Sequence, residues 1–153
     1  MTHPLPDAWA GPGHVMSHDK PIPEGFETAA LFDPFEIYVG PFFQSLGNRP
    51  RAHAFRVDER HLNLQGVCHG GMLMTFADSS LGLAAWAATD RAPCVTASMQ
   101  SQFLKPARLG DLVVVTPEVT RRTRELVFIR GDFMVGDTMI ATVSSIWKLL
   151  APA

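Results

Sequence analysis

The chain has 153 residues, 46% of them hydrophobic and 18% charged, which suits one domain with a buried core and excludes a disordered tail. A formal net charge of −2 with no long basic block excludes wrapping nucleic acid by charge alone. Two cysteines, Cys68 and Cys94, form neither a disulfide scaffold nor a four-ligand zinc site by themselves, so a reduced, cytoplasmic chain is expected.

No basic stretch leads into an apolar run at the N-terminus, so no signal peptide is expected. Residues 1–34 gather Pro4, Pro6, Pro12, Pro21, Pro23 and several glycines with no period of 2 or 3.6, and they read as an irregular arm ahead of a domain over 35–150. His3, His14 and His18 are scattered through that arm, and no metal site is expected from them. Phe35 to Gln44 is aromatic and β-branched, which predicts a short helical turn or a strand. A turn at Asn48-Arg49-Pro50 leads to a strand around Ala52–Val57, paired to the one before it. His61–His69 is a polar loop.

Gly70 to Ala88 is the long helix, ended by Asp90 and Pro93. It is apolar nearly all round, so other structure must wrap it. Asp78, Ser79 and Ser80 interrupt the apolar run, which reads as a core helix and not a membrane span. Strand-like runs follow at about 94–104, 111–121, 124–135 and 138–149, with turns at Gly110-Asp111, Arg122-Thr123 and Gly136-Asp137. The order predicts an α+β domain, an antiparallel β-sheet wrapped around one long central helix.

Two stretches carry chemistry. Gly70 and Gly71 stand where the loop becomes the helix, and free backbone N–H groups at a helix start suit an oxyanion. A glycine turn chosen only for its backbone angles remains the alternative. Asp78 is the only carboxylate between Leu62 and Thr89, two turns into an apolar helix with no Lys or Arg in helical reach. It either points at solvent or lines a cavity. In a cavity, burial would raise its pKa into the range of a general base. The alternative is a structural Asp at a helix contact. Thr96, on the next strand, has a hydroxyl that could hold a water for Asp78. There is no His-Glu-x-x-His, phosphate loop or Gly-x-Ser-x-Gly elbow.

Asn63, His69-Gly70-Gly71, Asp78 and Thr96, with the later Lys105-Pro106-Ala107-Arg108-Leu109-Gly110-Asp111 turn, together resemble the signature of the hotdog-fold acyl-CoA thioesterases, phenylacetate-pathway subfamily. The resemblance covers roughly residues 35–149. It implies that the Gly70 N–H, helped by the Asn63 side chain, polarises the thioester carbonyl. Asp78 is then general base or nucleophile, Thr96 orients the water, and His69 shapes the loop and assists the leaving thiolate. It also implies a homodimer or dimer of dimers, in which the loop of one subunit meets the helix Asp of another. No cofactor, nucleic acid or membrane partner is implied.

Cys68 departs from the family's aliphatic residue, but adjacent side chains diverge, so Cys68 and His69 make a poor nucleophilic pair. Ser98 stands where some relatives carry a second acid. Lys105 and Arg108 are candidates for the CoA phosphates. Gly71 is expected to contact substrate, and Phe42, Phe43, Met72, Phe76 and Trp86 are candidates for the acyl pocket. The competing readings are a non-catalytic acyl-CoA-binding hotdog module and a hotdog dehydratase or hydratase.

Overall fold

The computed structural model describes residues 21–29, 33–47 and 50–150. Residues 1–20, including His3, His14 and His18, lie outside the described residues. Ten elements follow in chain order. They are β1 (Phe26–Thr28), α1 (Pro34–Val39), β2 (Phe42–Ser45), β3 (His53–Arg56), α2 (Gly70–Ala88), β4 (Cys94–Phe103), β5 (Leu112–Val115), β6 (Glu118–Arg122), β7 (Leu126–Val135) and β8 (Thr138–Leu149). A 3-10 turn, Glu59–His61, lies before α2.

All strands join one antiparallel sheet in the order β1-β2-β3-β5-β7-β8-β4, with β6 also paired to β7. α2 packs against this sheet through Met72, Leu73, Phe76, Ala77, Ser80, Leu81 and Ala85. These positions recur at helical spacing, so they form one buried face. Phe76 sits at the centre of an aromatic cluster, with ring centroids 5.3 Å from Phe42, 4.7 Å from Phe55 and 5.8 Å from Phe133. Two glycines set the spacing between helix and sheet. A Cβ on Gly82 would stand 2.8 Å from the Trp147 ring, and one on Gly131 would stand 2.7 Å from Val115 and 3.1 Å from Leu81.

The segment from Phe35 to Gln44, expected to hold a short helical turn or a strand, holds both a helix and the start of a strand. Three other expectations need correction. β1 is a short strand inside the stretch read as irregular. The run at 111–121 is two strands, because Pro117 has no N–H for the ladder and separates β5 from β6. β4 pairs with β8 and makes no hairpin with β5, so residues 104–111 carry the chain across the sheet. Among the described residues β4 therefore ends the sheet as a ten-residue edge strand with no partner on its second edge.

No helix among the described residues is long and apolar enough to cross a membrane, and no group of His, Cys, Asp or Glu among them has metal-site geometry.

Candidate active site

The loop ahead of α2 is a small hairpin held by its own side chains. Leu62 and Cys68 form an antiparallel bridge, and the Asn63 N–H donates to the Val67 carbonyl at 2.8 Å. The Asn63 Oδ1 accepts from the Gln65 and Val67 N–H groups at 3.0 and 3.3 Å. Gly66 supplies the positive φ, +72°, that the turn requires. With its oxygen occupied, Asn63 keeps its amide N–H groups for another acceptor. Val67 bridges Arg108 and Cys68 donates to the Ala107 carbonyl, so the Lys105–Asp111 turn lies against this loop.

His69 is the N-cap of α2, and its Nδ1 accepts from the Gly71 N–H at 2.9 Å. An accepting Nδ1 leaves the proton of a neutral ring on Nε2. The Met72 and Leu73 N–H groups turn back to the His69 carbonyl. Among the described residues, the donor left over at this helix start is the Gly70 N–H. Gly70 itself lies under the Phe103 ring, 3.3 Å from where a Cβ would be.

Two turns along, Asp78 meets Thr96. The Thr96 hydroxyl donates to Asp78 Oδ1 at 2.6 Å, which leaves Oδ2 free. A bulge on β4 makes this contact. Thr96 opposes Trp147 and Ser98 opposes Ile146, so Ala97 is an extra residue. A bulge reverses the alternation of side chains. Thr96 ahead of it and Met99 and Phe103 beyond it thus share the helix-facing side, and Ser98 does not. Of the two alternatives the sequence left open, solvent or a cavity, the single chain shows both: Asp78 is exposed and it lines a cavity. The reason is that the stripe Gly71, Met74, Asp78 faces the side of the molecule where β4 ends the sheet, and none of the described residues covers it.

Asp78 opens onto a cavity of about 710 Å³ between α1, α2, β4 and β8. Phe35, Met74, Leu83, Trp86, Met99 and Trp147 give it a largely apolar wall. Of the apolar residues proposed from sequence, Trp86 lines it, whereas Phe42, Phe43, Met72 and Phe76 are buried in the core. Phe76 is 1% exposed and surrounded by other rings, so its side chain does not reach the cavity. Lys105 and Arg108 are exposed, beside the loop and away from this cavity.

One polar residue in the wall has no counterpart in the sequence reading. Glu36 of α1 is half-buried there beside Ser79. Burial pushes its carboxyl pKa up, the charges of Asp33 and Asp78 add to that, and the Ser79 hydroxyl works the other way. In the sequence, Asp33-Pro34-Phe35-Glu36 looks like an ordinary helix start, and an acid in a first turn is unremarkable. Cys68, in contrast, is buried, and its thiol is pushed up to about 12 by burial and by the Asp58 charge. Such a thiol is inert as a nucleophile.

One long helix held against a single antiparallel sheet, with a glycine start and a carboxylate two turns in, defines the hotdog class of fold. Residues 65–142 match the thioesterase superfamily. Over 130 residues the chain is 33% identical to the "Putative esterase PA0474" of Pseudomonas aeruginosa, covering 84% of this chain and 97% of that protein. It is 31% identical over 77 residues to the "Acyl-coenzyme A thioesterase 13" of Mus musculus, half of this chain and 55% of that protein. Among solved structures, the TT0310 protein of Thermus thermophilus superposes with a TM-score of 0.70 at 27% identity, over 78% of this chain and all of that one. A variant of the phenylacetic acid degradation protein PaaI from the same organism gives 0.69 at 27% identity, over 77% of this chain and all of that one. The chain belongs to the thioesterase superfamily and is a hotdog-fold thioesterase.

Proposed function

We propose that the protein hydrolyses acyl-CoA thioesters to free acid and CoA at a site completed by a second copy of the chain. The observation that carries this reading is the Asp78 carboxylate, held through one oxygen by Thr96 and free at the other, at the mouth of an apolar cavity. Oδ2 takes a proton from water, and the hydroxide forms a C–O bond to the thioester carbonyl carbon. The Gly70 N–H and the Asn63 amide donate to the oxyanion. Collapse breaks the C–S bond, and the thiolate leaves toward His69 at the start of the helix. Gly71 borders the substrate at the exposed helix start. Lys105 and Arg108 supply charge for the CoA phosphates beside the loop.

The need for a second copy follows from length. Gly70 and Asp78 are eight residues apart, about 12 Å along a helix that rises 1.5 Å per residue. A carbonyl within about 3 Å of the oxyanion donors is then out of reach of a water on the same chain's Asp78. The open β4 edge and the uncovered stripe of α2 next to it suit pairing with another copy, which would bring a second Gly70 loop to Asp78.

The test is thiol release from a panel of acyl-CoAs, short aliphatic to phenylacetyl and long-chain, with wild type and Asp78→Asn side by side. Turnover lost by at least about a hundredfold in the variant is expected for a general base. Equal turnover in both would remove Asp78 from the chemistry. Activity that persists in a demonstrated monomer would remove the shared site.

A further inference from the structure

Glu36 is placed to act on the substrate's acyl group. It sits between the large cavity and a small void behind it, which Phe42, His53, Phe76 and Leu83 border. Its helix is fixed at both ends. Asp33 Oδ1 accepts from the Glu36 N–H at 2.8 Å. Arg60 donates to the Tyr38 carbonyl at 2.9 Å and to the Gly40 carbonyl, and a His61 ring nitrogen lies 2.8 Å from the Val39 carbonyl. The backbone that carries the carboxyl is therefore fixed, and the carboxyl itself is half-buried and hydrogen-bonded with the Ser79 side chain on the facing helix.

The rest of the cavity wall holds aromatic, aliphatic and small polar side chains, with two further carboxylates, Asp33 and Asp78, that are exposed where Glu36 is half-buried. Among the described residues that line the cavity there is no Lys, Arg or His. An acyl chain ending in a methyl or a ring loses nothing by entering such a space. A chain ending in a carboxylate gives up its hydration, finds no cation to pair with, and meets the Glu36 carboxylate in a half-buried setting where screening by water is weak.

We propose that Glu36 is a specificity-determining residue: from the α1 wall of the acyl cavity it excludes acyl groups that end in a carboxylate and restricts the enzyme to uncharged acyl thioesters. The inference rests on the reading of this cavity as the acyl pocket of a thioesterase. It works by penalising the wrong substrate and requires no added contact with the right one.

The experiment compares kcat/KM for hexanoyl-CoA and adipoyl-CoA, matched in chain length, at mildly alkaline pH. ω-Hydroxyhexanoyl-CoA separates charge from polarity. Wild type is expected to favour hexanoyl over adipoyl by about a hundredfold or more, with the hydroxylated chain much closer to hexanoyl. Glu36→Gln, which keeps shape and removes charge, is expected to narrow the hexanoyl-to-adipoyl ratio by at least about tenfold. A general loss of structure would lower both substrates and leave the ratio alone. A wild-type ratio near unity overturns the proposal without any variant, as does an unchanged ratio in a folded Glu36→Gln. If wild type cleaves none of these nor any other acyl-CoA, the thioester-hydrolysis reading fails and this inference with it.

Discussion

Thr96→Val removes one hydroxyl and keeps the shape of the side chain. What is lost is the 2.6 Å donation to Asp78 Oδ1, a hydrogen bond to a charged group. Such bonds contribute about 1.5–3 kcal/mol where water does not compete. In the single chain both partners are exposed, so the change to folding stability is at most about 0.5 kcal/mol. In the proposed site the bond would fix which oxygen of Asp78 faces the water, so most of the loss would fall on the transition state. A loss of about 1.5–2.7 kcal/mol corresponds to a tenfold to hundredfold lower kcat. The assay is thiol release at saturating acyl-CoA, with thermal unfolding measured on the same samples. Asp78→Asn and the double variant complete a cycle. If Thr96 acts through Asp78, the second substitution adds little to the first. Wild-type kcat in Thr96→Val, or losses that simply add, would refute the role assigned to this bond.

Three further outcomes are expected. His53 is buried and its pKa is lowered to about 4, mainly by burial and then by the Arg51 charge. The unfolded chain takes up this proton near pH 6.5 and the folded chain only near 4. The contribution to stability is thus full above about pH 6.5 and declines, by up to about 3 kcal/mol, as pH falls to about 4; His53→Gln should flatten denaturant-measured stability in that window. Cys68, with its thiol pushed up to about 12, should resist iodoacetamide in the native protein, and Cys68→Ala should keep turnover within about twofold; a large loss would revive a nucleophilic role. Gly82→Ala places a methyl 2.8 Å from the Trp147 ring, which is buried and pinned by its Nε1–H to Ser145 Oγ at 2.9 Å. Overpacking outweighs the gain in helix propensity, so the melting temperature should fall by about 2–8 °C, and a rise would show that the ring can move.

α2 was legible from the sequence to the residue, because a glycine pair opens it and Asp90 and Pro93 follow it. Asp78 stood out because a carboxylate with no cation in helical reach is conspicuous in an apolar run. Its surroundings were not legible. Whether the stripe it shares with Met74 is covered depends on where β4 falls in the sheet, and that is set by pairing with β8, about fifty residues away. The bulge at Ala97 left no mark either. Small residues run from Ala97 to Ser98 without a glycine or proline, so strict alternation would have put Thr96 and Ser98 on one face. Phe76 and Trp86 stood side by side as pocket candidates, and it is the packing of three other rings around Phe76 that separates them. β1 has three residues, too few for a period to appear.

The exposure of Asp78 fits the proposed two-copy site on energetic grounds. An unpaired carboxylate buried within one folded chain costs several kcal/mol of a stability that is itself small. A carboxylate left at an open edge costs the folded chain little. Covering it by a second copy desolvates it only on assembly, where the apolar surface joined at the interface offsets the cost. Several exposed apolar side chains are available for that role. Met74 on the α2 stripe, Val95 and Phe103 on β4, and Leu64 at the tip of the loop are all substantially exposed in the single chain. Leu64 is the most telling of these, since it is fully exposed on the same loop that carries Asn63. In a two-copy site Leu64 would anchor the loop on a partner and bring Asn63 and Gly70 toward the Asp78 of that second copy. On this reading, folding prepares two halves of a thioesterase site, and association supplies both the geometry and the desolvation that make Asp78 a base.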